Sequence, residues 1–193
     1  MGRNRVGLSL QSFPARCSTE SSHPTTQTCS LPQQTSREYV PFSINLTNLV
    51  HTREADTDIL KILTENVPRE THMHIHCFTD SPSLAASILS HFPNSFIGIT
   101  GVITYSSNLN TTEVVKATPL ERLLLETDSP FMVPNNVQKG IKSMGGKSTR
   151  IPVCWSGMIP YTAEWVADIK GVSAEKVLDV TRGNAVRMYG IEV

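Results

Sequence analysis

Charge is scarce in this chain of 193 residues. Only 18% of them are Asp, Glu, Lys or Arg, and 17 basic side chains balance 17 acidic ones. That excludes a protein held to nucleic acid by a strongly basic surface, because such affinity comes from neutralising phosphates with Lys and Arg. It leaves room for one whose positive charge is supplied locally by a metal ion. Long apolar runs are missing too, and none approaches the roughly 18 residues that cross a bilayer. The first residues include Arg3 and Arg5 but no apolar segment of the secretory type. Cys17, Cys29, Cys77 and Cys154 are scattered, without the spacing of a metal site or a disulfide framework, and read as reduced thiols. Together these absences predict an intracellular protein, cytoplasmic or nuclear, with no membrane partner.

Large apolar residues are also sparse from residue 1 to about 38. Ser, Thr, Gln and Pro dominate there, as in Cys17-Ser18-Thr19-Glu20-Ser21-Ser22 and Pro32-Gln33-Gln34-Thr35-Ser36. Such a segment cannot bury enough surface to offset its ordering entropy, so residues 1–38 are predicted to be a disordered leader. Residues 39–193 are left as the folded part.

The most informative stretch of that part is Leu123-Leu124-Leu125-Glu126-Thr127-Asp128-Ser129-Pro130. A continuous apolar run reads as a strand buried on both faces, the kind a helix-covered parallel sheet needs. Acidic side chains at its carboxyl end lie where α/β barrels place their chemistry. A second strand, Thr71 to Phe78, carries His72, His74 and His76 on one face and Met73, Ile75 and Cys77 on the other. A third, weaker one runs Leu46-Thr47-Asn48-Leu49-Val50 and ends at His51.

Helices are predicted between the strands. Asp56 serves as an N-cap before Ile59, Leu60, Ile62 and Leu63, and Ser81-Pro82-Ser83 opens a helix with Leu84, Ile88, Leu89 and Phe92. Phe96 to Thr100 is a further strand, in which Gly98, with Gly101 just beyond, leaves room for close backbone approach. Thr111 to Ala117 is a short helix. Pro134 to Ile159 reads as a long loop, functional or mobile. Two helices follow, one over Tyr161 to Lys170 and one capped by Ser173 and broken near Gly183. Strands alternating with helices signify parallel α/β architecture.

His51-Thr52-Arg53-Glu54-Ala55, His76-Cys77-Phe78-Thr79 and Leu123 to Pro130, with Ile99-Thr100-Gly101 between them and Thr181 to Gly190 after them, stand in the order and spacing of the TatD-like deoxyribonucleases. The resemblance covers about Phe42 to Val193. It implies a TIM-type (β/α)8 barrel of the metal-dependent hydrolase type that cleaves phosphodiester bonds in DNA. Such a barrel usually needs about 250 residues, and the part after the leader is roughly 100 short of that. The family's first-strand His-x-His pair and third-strand Glu have no counterpart here. The expectation is therefore an incomplete barrel lacking the first strands, a partial TatD-like hydrolase domain over 39–193.

By this resemblance His51, His76 and Asp128 are metal ligands, and Asp128 is also the catalytic base that activates water. Imidazole and carboxylate donors suit Zn2+ or Mn2+, with Mg2+ less natural on nitrogen. Arg53 offers a planar fork for a substrate phosphate. Glu126 shares the face of Asp128 and either orients it, contacts the ion or serves the fold. His74 lies about 7 Å and His72 about 13 Å below His76 by strand rise, so both read as lower-layer or rim residues. Asn184 and Arg187 read as packing residues. Three ligands suit one ion at most, so two outcomes stay open. One is a metal-dependent deoxyribonuclease with DNA as substrate. The other is an inactive truncated fragment or interaction module, with self-association through an open barrel edge.

Overall fold

A computed structural model describes residues 48–52, 56–105, 107–137, 140 and 151–191. The predicted leader, Arg53 and residues 138–139 and 141–150 of the predicted long loop lie outside them. The described residues form four parallel strands in the order β1-β2-β3-β4: β1 (Asn48–His51), β2 (Met73–His76), β3 (Ser95–Ile99) and β4 (Leu123–Leu125). Helices α1 (Asp56–Asn66), α2 (Pro82–His91) and α3 (Leu109–Ala117) connect them, and α4 (Ile159–Lys170) and α5 (Ala174–Tyr189) follow. Sequential parallel strands joined by helices are the repeating unit of a barrel wall, of which eight close a circle of about 250 residues.

Side-chain alternation divides the sheet into two faces. Register pairs His51 with His76, His74 with Phe96, and Gly98 with Leu124, so these residues point the same way. The opposite face carries Val50, Met73, Ile75, Ile97, Ile99 and Leu123. These pack with Ile59 and Leu63 of α1, Leu84 and Ile88 of α2, Val114 and Val115 of α3, and Ala163 and Val166 of α4 into the main core. Each fully buried aliphatic side chain there contributes about 1.5–3 kcal/mol by leaving water.

Local signals behave mostly as read. Ser81 caps α2 by accepting from the Leu84 amide, with Pro82 at the first helical position. Ser173 caps α5 in the same manner. Asp56 is the first residue of α1, and its carboxylate accepts a hydrogen bond from the Ser81 hydroxyl. β2 is shorter than predicted, and His72 lies before it, exposed.

The break predicted near Gly183 does not occur. α5 runs unbroken to Tyr189 because its buried side, Val177, Thr181, Asn184 and Met188, continues across the glycine. The cost of a helical glycine is only about 1 kcal/mol relative to alanine, which this burial outweighs. The helix ends instead at Gly190, in the left-handed conformation with φ 61°. Asn184 locks α5 to the sheet: its side-chain amide donates to the carbonyls of Leu120 and Leu123 at 2.9 and 2.7 Å.

Candidate metal centre

The polar face of the sheet is built from β2 outward. Alternation in Met73-His74-Ile75-His76 puts both imidazoles on the side away from the main core. Between β2 and the end of β4 stands Gly98 of β3. A Cβ built there would collide with Oε1 of Glu126 and Nε2 of His74. The missing side chain is therefore what lets the Glu126 carboxylate lie across β3 to reach β2.

Glu126 is held from several directions. Its Oε2 accepts from Nδ1 of His76 at 2.7 Å, and its Oε1 accepts from the Cys77 amide at 2.6 Å. Cys77 adopts a left-handed conformation, φ 46°, as the chain leaves β2. That conformation costs a non-glycine residue energy and is kept where the surroundings demand it. Nε2 of His74 is buried 3.1 Å from Glu126 Oε2, an ion-pair distance, but off the line of a full hydrogen bond. Burial alone raises the Glu126 pKa. The hydrogen bonds and charges of His74 and His76 outweigh it and bring it down to about 2. Reciprocally, the Glu126 hydrogen bond holds His76 above the ordinary imidazole range, against its partial burial.

His76 turns its other nitrogen outward. Nε2 lies 3.8 Å from Oδ1 of Asp128. The His51 ring sits beside it, 5.8 Å between centroids, and is exposed. A buried hydrogen bond of 2.9 Å from Thr52 to Asp80 ties the end of β1 to the loop after β2. His51, His76 and Asp128 thus gather at the carboxyl ends of β1, β2 and β4. Arg53 falls outside the described residues.

A second grouping lies beneath. His74, His76 and Glu126 each offer a ligand atom, all within 4.8 Å of one another, and could hold a metal ion. His74 is in the layer below His76, 6.1 Å between rings, close to the expected separation. Its partner was not legible: Tyr189, at the far end of the chain, places its hydroxyl 2.6 Å from Nδ1 of His74. The sequence signal was the histidine itself, since a buried imidazole demands a polar partner. Asn184 and Arg187 do pack, the latter 5.8 Å over the Phe96 ring and bonded to the Glu121 carbonyl. Gly101, like Gly98, admits a close neighbour, the Met132 carbonyl.

The TatD related DNase family matches residues 40–190. A human 3'-5' RNA nuclease, TATDN2, is 34% identical over 143 residues, covering 74% of this chain and 18% of that protein. The uncharacterized metal-dependent hydrolase YabD of Bacillus subtilis is 30% identical over 148 residues, covering 77% of this chain and 52% of the relative. Among solved structures, a TatD family hydrolase from Entamoeba histolytica superposes with a TM-score of 0.61 at 23% identity, over 75% of this chain and 50% of that one. Apart from the much longer human protein, the chain spans about half the length of these relatives. The four-stranded sheet is accordingly an incomplete barrel of the TIM type.

Proposed function

Because the chain belongs to the TatD related DNase family, we propose that residues 39–193 form a partial metal-dependent hydrolase domain that cleaves phosphodiester bonds in single-stranded nucleic acid. The observation that carries this reading is the division of labour on His76. Nδ1 is committed to Glu126 at 2.7 Å, which leaves Nε2 as a ligand atom facing the Asp128 carboxylate. Ligating histidines are typically held in this way, with the other ring N–H given to a carboxylate. His51, His76 Nε2 and Asp128 are an imidazole and carboxylate set suited to Zn2+ or Mn2+, with Mg2+ less natural on nitrogen. The inner trio of His74, His76 and Glu126 would first have to give up the contacts of 2.7 and 2.6 Å that already occupy Glu126.

When bound, a divalent ion supplies a Lewis acid and lowers the pKa of water. The residues do the rest. Asp128, partly exposed at the strand end, accepts the proton of the attacking water. The water oxygen bonds to phosphorus, the bond from phosphorus to the leaving oxygen breaks, and that oxygen takes up a proton from solvent while Asp128 returns its own to solvent. Arg53 holds a non-bridging oxygen. Exposed aromatic residues on the turn that follows Asp128 and on the segment of chain bonded to it suit unpaired bases. Phe131 closes a turn by donating its amide to the Asp128 carbonyl at 2.8 Å. The Cys154 amide bonds the Pro130 carbonyl at 3.0 Å and brings Trp155 to the same turn. Both rings are more than half exposed. Stacking gives about 1–3 kcal/mol per base without needing charge, which a neutral chain lacks.

DNA is the substrate the sequence resemblance implies. RNA is the second reading, favoured by the human relative, a 3'-5' RNA nuclease. The test offers end-labelled single-stranded DNA and RNA of one sequence to the full chain with Mg2+, Mn2+ or Zn2+, beside Asp128→Ala. Metal-dependent cleavage lost in the variant is expected, and the better-cut strand names the substrate. A folded chain that cuts neither strand would replace this reading with the inactive fragment or interaction module. Cleavage that rises with the square of protein concentration would add self-association through the edge of β1.

A further inference from the structure

The inner contacts form a line from the last helix to the proposed metal site. The Tyr189 hydroxyl meets Nδ1 of His74 at 2.6 Å, Nε2 of His74 faces Glu126 Oε2 at 3.1 Å, and Oε2 accepts from Nδ1 of His76 at 2.7 Å. We propose that Tyr189 is a positioning residue, whose hydroxyl acts through His74 and Glu126 to hold the His76 ring with Nε2 toward Asp128. This rests on the reading of His76 Nε2 as a ligand and adds the terminal helix to the site.

Three features argue for it. First, the helix that carries Tyr189 is anchored. Tyr189 is the last residue of α5, whose Asn184 is bonded to the β4 approach and whose Met188 is buried against Phe96 and Leu124. Second, its ring meets that of His74 edge-on, 84° and 6.1 Å between centroids, so the hydroxyl aims at one nitrogen. Third, the chemistry of the line has one consistent polarity. The hydroxyl donates to Nδ1, which puts the His74 proton on Nε2, toward Glu126. Glu126 then accepts from Nδ1 of His76, and the His76 lone pair is left on Nε2. An aliphatic residue at position 74 would fill the same volume without this relay. A buried imidazole needs polar surroundings to offset its desolvation cost: here Nδ1 has the Tyr189 hydroxyl, and Nε2 has the attraction of the Glu126 carboxylate 3.1 Å away.

The test compares the full chain with Tyr189→Phe, which removes one oxygen, with His74→Leu and with the double variant. Two quantities are read: the His76 tautomer, by long-range 1H–15N NMR of the metal-free protein, and Zn2+ affinity, by calorimetry. The expected result is a His76 proton on Nδ1 in the parent, a mixed tautomer in Tyr189→Phe, and Zn2+ binding weaker by about tenfold, the usual effect of losing an outer partner. The double variant should be no worse than His74→Leu alone, because the hydroxyl acts only through that ring. An unchanged tautomer in folded Tyr189→Phe overturns the proposal, as do additive losses in the double variant. Asp128→Ala in the same titration tests the outer metal site by itself. If it left Zn2+ binding intact, the ligand reading would fall, while the tautomer would still decide the role of Tyr189.

Discussion

The two faces of one sheet could hardly differ more. Toward the helices the four strands present Val50, Met73, Ile75, Ile97, Ile99 and Leu123, all 3% exposed or less. On the other side the same strands present His51, His74, His76 and Gly98, with Glu126 just beyond β4. Neighbours in sequence, 3.3 Å apart along a strand, belong to different tasks. The first face is held by burial, which tolerates exchange among residues of similar volume. The second joins a small apolar cluster of Phe96, Leu124 and Met188 to directed contacts around Glu126, whose geometry does not tolerate such exchange.

Adjacent substitutions separate the two faces most clearly. Ile97→Ala empties a fully buried site in the core and should destabilise the chain by about 2–5 kcal/mol. Zn2+ affinity of the molecules that remain folded should stay within about twofold, and a urea melt paired with calorimetry checks both. Gly98→Ala, one residue on, pushes a methyl group into Glu126 and His74. It should cost about 1–3 kcal/mol as an overpacking change and, unlike Ile97→Ala, weaken Zn2+ binding by tenfold or more. Equal effects on metal binding would mean that the faces are not independent.

Acid sharpens it further. Glu126 has a pKa of about 2 against an ordinary 4.5. A depressed carboxylate contributes its stability fully above 4.5 and loses it as pH falls toward 2. The metal-free chain should therefore lose about 2 kcal/mol more than Glu126→Gln over that window, in line with hydrogen bonds to a charged group. Urea melts at stepped pH would show parallel curves if Glu126 were unlinked. The smallest effect is expected at Gly183, where an added Cβ meets nothing within 4 Å. Gly183→Ala should raise stability by about 0.5–1 kcal/mol and leave the site unchanged.

What the sequence disclosed follows the same division. The core face was legible because apolar runs and period-two alternation are local: Leu123 to Leu125 and Met73 to His76 announce strands without reference to anything distant. Gly98 was legible as a place of close approach, though not for which side chain. His74 showed its depth below His76 but not its use, because Tyr189 lies 115 residues away and no spacing rule joins them. Glu126 was ambiguous for the same reason, since its partners come from β2. Gly183 misled because a local breaker signal ignores the burial of Asn184 and Met188 on the far side of the helix. The deoxyribonuclease reading came from ordered motifs. It is shared with a family whose human member carries an RNA nuclease name, so the sugar preference stayed open.

On the proposed reading His76 serves two masters, with Nδ1 for Glu126 and Nε2 for a metal ion beside Asp128. Crystals of the full chain soaked in Mn2+, with anomalous difference density measured at the site, address it directly. The expected result is a peak bonded to His76 Nε2 and an Asp128 oxygen, with the contact between Nδ1 and Glu126 retained. A peak between His74, Nδ1 of His76 and Glu126 would contradict it.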